Sequence, residues 1–327
     1  MKKLIAIAAA CVALASCVKN EVDFSGNFAQ GERIDFQAVQ GVQVESRGAF
    51  EGNAFIAAAF LLNEGETWAG AHNTAQEYFK NETVTNTTGE WTTGTAYYWP
   101  ARGSLTFYAV APTGFTADRQ WNANKDYIIS NYSVETNKSV DLRVADIVRE
   151  AKGNDVPAVF RHKLTKVNFG ITKSASDPRE IKLKSIVING VYSTGTYTMP
   201  YNTIHGSGTT VDFWTVPDGA SGETCKLFEG DLTVTDATQA ITIEHSYMIP
   251  QEFTSASYLT VVYTVTNNGA TETVTVKKHL GDDIDTADKM WNMNENISYN
   301  FTIGTVEQIK WAPTQEDWTT ESWNIKL

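Results

Sequence analysis

This sequence predicts an all-β protein built from β-sandwiches, on three observations. Short runs rich in Thr, Val, Ile, Tyr and Phe recur after the first twenty residues, each broken by Gly, Asn, Asp or Pro. Amphipathic helical runs are few. The composition, 42% apolar and 11% aromatic, is that of a chain that buries a core rather than of a disordered one.

The N-terminus is a separate element. Lys2 and Lys3 precede an unbroken apolar run, Leu4 to Ala13, too short to span a bilayer as a helix. Leu14-Ala15-Ser16-Cys17 follows, the small-residue box before a cysteine that a lipoprotein signal peptidase requires. Cleavage before Cys17 and acylation of its thiol are expected, and two or more acyl chains suffice for stable anchoring. Val18, rather than an acid, at the next position favours the outer membrane.

The strand signals come next. Arg33 to Val39 places Ile34, Phe36 and Ala38 on one face and Asp35, Gln37 and Val39 on the other. Val39 to Gly48 reads as an exposed loop, with Gly41 and Gly48 at its ends. Asn53 to Leu62 is Ala-rich and does not alternate, so a helix and a buried strand both remain open. Phe160 to Ile171 changes its apolar face midway, as a strand passing between domains would, and a boundary is placed near Asn154–Pro157. Glu180 to Ile188 alternates. Ser257 to Thr266 and Thr271 to Lys278 flank Asn267-Asn268-Gly269-Ala270, the strongest hairpin signal in the chain. Ile241 to Ile249, Ile297 to Ile303 and Trp323 to Leu327 complete the strands.

Charge and chemistry narrow the function. Loss of the leader removes Lys2 and Lys3 and leaves 24 basic against 38 acidic side chains, net −14, which argues against a nucleic-acid partner. With Cys11 lost and Cys17 acylated, Cys225 is the only remaining thiol, so no intrachain disulfide is available. Cys225 sits in a strand-like run and reads as an inert core thiol. His72, His162, His205, His245 and His279 show no metal-ligand spacing, so neither a metal nor another cofactor is expected. His205-Gly206-Ser207-Gly208 lacks the nucleophile elbow. The acidic run Asp282 to Asp288 lacks the Gly and terminal Glu of a calcium loop. No catalytic set is found, and an enzyme is not expected. Asp285-Thr286-Ala287 resembles a bacterial O-glycosylation acceptor at Thr286. The nine tryptophans read mainly as core fillers. If Trp68, Trp91 and Trp121 were exposed in loops, they would instead suit a permanently anchored lipoprotein that binds glycan or host protein.

Several segments together resemble the fimbrillin (Mfa-like) family, the lipoprotein pilins and tip adhesins of type V pili. They are the lipobox followed by Arg33-Ile34-Asp35-Phe36-Gln37-Ala38; Val44-Glu45-Ser46-Arg47-Gly48; Tyr97-Tyr98-Trp99-Pro100 with Leu105 to Pro112; Val140-Asp141-Leu142-Arg143-Val144-Ala145; Val159 to Val167; and Trp291-Asn292-Met293-Asn294 leading to Tyr299 to Ile303. Arg143-Val144 departs from the more apolar pair that members often carry.

The resemblance implies two tandem transthyretin-like β-sandwich domains. The chain then divides into a leader (1–16), a propeptide with lipidated Cys17 and the first strand (17–47), an N-terminal sandwich (48–156) and a C-terminal sandwich (157–327). It also implies localisation to the outer membrane, the cell surface and a fimbrium. There an arginine-specific protease would cut between Arg47 and Gly48, with Arg33 as the competing site. The propeptide would leave, and a neighbouring subunit would donate a β-strand into the vacated groove. Residues 48–327 would carry net charge near −12. Partners are thus other fimbrial subunits, the outer membrane before maturation, and a receptor on a host or bacterial surface. Stalk and tip roles are both open. The segment 305–327 fits either a donor strand or the last strand of the C-terminal sandwich.

Overall fold

The computed structural model describes residues 31–40, 48–50, 52–153, 155–203, 213–217, 222–281, 289–304 and 309–317. Cys17, Arg47, His205, the run 282–288 with Thr286, and Trp323 to Leu327 lie outside them. The described chain is almost entirely β, as the sequence predicts, with a single four-residue helix, Trp68–Ala71. Among the described residues no helix is long and apolar enough to cross a membrane.

The first sheet holds β1 (Phe36–Gln40), β2 (Gly48–Ala49), β3 (Ala54–Leu62), β4 (Gln76–Thr87), β5 (Glu90–Thr93), β6 (Ser104–Ala111), β9 (Arg143–Ala145), β10 (Val148–Ala151) and β11 (Val156–His162). Its strands run β6-β3-β4-β5-β1-β11-β9, and β9 pairs back onto β6, so the path closes on itself. Closure leaves the strands inside the ring without a free edge.

The second sheet joins β7 (Asp118–Trp121) and β8 (Tyr127–Ser133) to β14 (Thr194–Met199) and β15 (Trp214–Thr215). The third contains β12 (Thr165–Lys173), β17 (Gln239–Ile241), β18 (Tyr247–Met248), β23 (Glu295–Ile303) and β24 (Ile309–Asp317). The fourth contains β13 (Glu180–Val191), β16 (Glu223–Thr233), β20 (Tyr258–Asn267) and β21 (Ala270–His279). A small pair, β19 (Gln251–Glu252) and β22 (Met290–Trp291), completes the set.

Three apolar cores follow from this layering. Phe55, Ala57, Ala59 and Leu61 of β3 point into the closed sheet, together with Phe107 and Ala109 of β6. Ile56, Phe60 and Leu62, with Tyr108 and Val110, point the other way, against Tyr127, Ile129, Tyr197 and Trp214 of the second sheet. Both faces of β3 are therefore buried, which is why Asn53 to Leu62 shows no alternation and resolves as a strand. The third and fourth sheets form a sandwich over Val167, Phe169, Ile171, Tyr299 and Phe301 on one side and Ile181, Ile186, Leu259 and Val261 on the other.

The change of face across Phe160 to Ile171 has a clear cause. It is two strands, β11 and β12, in different sheets, and not one continuous strand. Val156, Ala158 and Phe160 are buried in β11, whereas Val167, Phe169 and Ile171 are buried in β12, so the parity shifts at Leu164-Thr165, both of them buried. Ile241 to Ile249 is likewise divided into β17 and β18. Between them Glu244 donates its amide to the Leu227 carbonyl (2.8 Å), and Ser246 accepts from the Val167 amide (2.7 Å), so the chain hands its backbone bonds from one sheet to the other. The β20–β21 hairpin is as predicted: Asn268 (φ 49°) and Gly269 (φ 82°) occupy the two positive-φ positions that an Asn-Gly turn supplies cheaply. Of the C-terminal segment, 309–317 pairs antiparallel with β23 over nine register positions and forms the edge of the third sheet.

Candidate functional site

The candidate site is the first strand and the slot it fills. β1 is the one strand linking β5 to β11, so it completes the ring. It runs parallel to β11 in the register Phe36↔Val156 through Gln40↔Phe160, and it meets β5 antiparallel at Phe36↔Trp91. The contact continues upstream. The Ile34 amide donates to the Tyr97 carbonyl (2.8 Å) and the Trp99 amide to the Glu32 carbonyl (2.9 Å), while the Val156 amide donates to the Asp35 carbonyl (2.8 Å).

The side chains follow the predicted alternation. Ile34 (1% exposed) and Phe36 (4% exposed) are core residues, and Ala38 packs against the same cluster. The Phe36 ring meets Phe55 and Phe107 edge-on, with centroids 5.6 and 5.8 Å apart. On the outer side the Arg33 guanidinium donates to the Thr93 carbonyl (3.1 Å), and the Gln37 amide donates to the Asp155 carboxylate (2.8 Å).

β2 folds back on β1 through only two pairs, Val39↔Ala49 and Gln40↔Gly48. The expected loop from Val39 to Gly48 is therefore shorter, since Val39, Gln40 and Gly48 all lie in strands. The junction between Arg47 and Gly48 falls where the chain enters β2. Just beyond, Phe50 is buried against Phe160 (4.5 Å) and Trp91 (5.5 Å). The Arg143 guanidinium lies over the Phe50 ring at 4.6 Å and faces Asp141 at 3.5 Å, so the polar departure at Arg143 is accommodated by an aromatic face and a carboxylate.

The alternative of exposed tryptophans does not hold at Trp68, Trp91 and Trp121. Trp68 and Trp91 are 1% and 8% exposed, and the Trp68 indole donates to the Tyr201 carbonyl (2.9 Å). Trp121 lies in β7, half-buried, its ring 4.8 Å from that of Tyr127. These rings are packing, not a sugar-stacking surface.

Cys225 is buried in β16, as its context predicts, and burial pushes its thiol pKa up. Its Sγ lies 2.7 Å from His245 Nε2, a meeting that local pattern does not reveal, because the two residues are 20 positions apart and lie on different segments. The closing role of β1 was also hidden: its partner β11 lies 120 positions downstream and pairs in parallel.

Among curated protein sequences no match is found. The fold is similar to that of a fimbrial protein from Bacteroides vulgatus, 16% identical, covering 88% of this chain and 100% of the other with a TM-score of 0.62. It is also similar to a candidate cell-adhesion protein from Bacteroides uniformis, 18% identical, covering 88% and 98% of the two chains with a TM-score of 0.51. A family model described as fimbrillin-like matches residues 28–318, and the chain belongs to that fimbrillin-like family.

Proposed function

We propose that this chain is a structural and adhesive subunit, stalk or tip, of a bacterial surface fimbrium, assembled by replacement of its own first strand with a strand from a neighbour. Family membership supports the fimbrial role. The observation that carries the assembly step is the position of β1, an N-terminal strand that closes an otherwise open ring.

In this reading the precursor is exported as a lipoprotein, held at the outer membrane through Cys17, and folded with β1 in place. Cleavage between Arg47 and Gly48 separates residues 17–47 from the rest, and β2 contributes only two backbone pairs to resist their departure. Phe50 remains anchored in the core close to the new N-terminus. Loss of Ile34 and Phe36 returns two buried side chains to water, a cost of about 3–6 kcal/mol at roughly 1.5–3 kcal/mol each. That is a large share of the roughly 5–15 kcal/mol that holds a typical domain folded. It also leaves unpaired backbone on β5 and β11, so the vacated slot favours a new occupant. The last segment of a neighbouring subunit is the candidate donor. The division into an N-terminal (48–156) and a C-terminal (157–327) transthyretin-like sandwich belongs to the same reading, although β11 (Val156–His162) of the first sheet straddles that boundary.

The test is to treat the precursor, made without its lipid, with an arginine-specific protease, then read the new N-terminus and the particle size. A start at Gly48 with detergent-resistant ladders is expected. An uncut or cut but strictly monomeric product would overturn strand exchange.

A further inference from the structure

A second site lies far from β1. Cys225 Sγ and His245 Nε2 are 2.7 Å apart in the interior, closer than a thiol ordinarily approaches a ring nitrogen. Glu135, two residues beyond β8, brings Oε1 to 3.5 Å from the same nitrogen, and the ligand atoms of all three residues lie within 4.8 Å of one another. The His245 side chain is fully enclosed, and its Nδ1 has no hydrogen-bond partner among the described residues. The Glu135 side chain is 42% exposed, so the cluster opens to solvent on that side alone.

Two chemistries use Cys, His and Glu together. A nucleophile–base–carboxylate set needs the imidazole to bridge its partners through its two opposite nitrogens. Here the thiol and the carboxylate both address Nε2, and the sulfur is sealed from substrate. Sulfur, nitrogen and oxygen converging on one point is instead the donor set of a borderline-soft divalent cation.

We propose that Glu135, Cys225 and His245 bind a single Zn²⁺-type ion, with water in the fourth position on the exposed Glu135 side. As the sulfur–metal bond forms, the thiol proton passes to solvent, and no oxidation is involved. Ordinary zinc bond lengths in a tetrahedral site set sulfur and nitrogen about 3.5 Å apart, so Cys225 and His245 separate by roughly 0.8 Å on binding. The neighbouring cation, Lys138, is held by Glu244 at 2.7 Å, which offsets its charge beside the incoming ion. The ion ties together the turn after β8, strand β16 and the segment before β18, three parts of the chain that belong to different sheets. The spacing of the sequence conceals the set, because Glu135 lies 90 positions before Cys225.

The test uses the whole chain without residues 1–17, so that Cys225 is the only thiol, and without a histidine tag. After chelator treatment, Zn²⁺ or Co²⁺ alone is added and unbound metal removed. One ion per chain is expected, with a thiolate-to-cobalt charge-transfer band and a melting temperature that rises with the logarithm of free Zn²⁺. C225S removes the band. E135Q, on the exposed side, melts as wild type in chelator yet binds Zn²⁺ at least about tenfold more weakly, in line with the usual cost of altering a metal site. No stoichiometric metal on the wild-type chain, or unchanged affinity in both E135Q and H245Q, overturns the site.

Discussion

Replacing Phe36 with Ala tests whether β1 is a working part of the precursor and absent from the mature subunit. The side chain is 4% exposed and packs edge-on against Phe55 and Phe107 in the closed sheet. Truncating a buried Phe to Ala removes its transfer free energy and leaves a cavity, about 3–5 kcal/mol in well-packed cores. The surrounding rings are anchored on β3 and β6, so little collapse relieves the void, and the upper half of that range is expected. For a cooperative unit of some 150–250 residues, at about 2–4 °C per kcal/mol, the precursor should melt about 8–20 °C lower. The assay is calorimetry of the lipid-free precursor before and after arginine-specific cleavage. Before the cut, F36A should show the full loss. After the cut and release of residues 17–47, wild type and F36A become the same molecule and must melt together. A precursor F36A within about 0.5 kcal/mol of wild type, the range of an ordinary surface change, would refute the packing argument. A difference that persists after cleavage would show that β1 never leaves.

Further outcomes are expected elsewhere. Arg47→Ala should abolish the new N-terminus at Gly48 and the ladder with it; N-terminal sequencing that finds Ile34 instead would move the cut to Arg33. Gly103→Ala should destabilise by about 1–3 kcal/mol, the usual range for strained backbone, because Gly103 has φ +81° and a Cβ there would sit 2.1 Å from the Leu62 carbonyl oxygen. An unchanged melting temperature would contradict that contact. Asp177 is held below the usual carboxylate pKa, first by the hydrogen bond from Arg179 (2.7 Å), which also donates to the Gly304 carbonyl. Because the folded pKa is the lower one, the unfolded chain takes up this proton first. The stabilisation is therefore present above about pH 4 and fades as pH falls through the folded pKa. D177N should be less stable at neutral pH and should show a flatter acid limb in denaturant titrations; an acid limb parallel to wild type would be contrary.

Much of the architecture was legible where local rules decide it. The Asn268-Gly269 turn, the parity of Ile34, Phe36 and Ala38, and the switch of face after His162 all follow from period-two burial and turn chemistry. β3 was ambiguous because a strand buried on both faces loses its alternation, and only the presence of a second sheet against Ile56 and Phe60 explains it. Closure of the first sheet and the pairing of β8 with β14 depend on contacts between distant segments, about which local pattern is silent. The same holds for the meeting of Glu135, Cys225 and His245. Trp68 and Trp91 fill the core, as the sequence reads them, although their neighbours are loop-like: one opens a short helix, the other sits in a four-residue strand, and both turn inward.

The place held by β1 has a direction. It runs alongside β11 and against β5, so its two neighbours meet it with unlike hydrogen-bond patterns, evenly spaced and slanted on one side, perpendicular and paired on the other. A substitute of the same sense would reproduce both patterns, whereas one of the opposite sense would exchange them. If strands are exchanged from subunit to subunit as proposed, the fibre has two chemically unlike ends, one offering an empty berth and the other a spare strand.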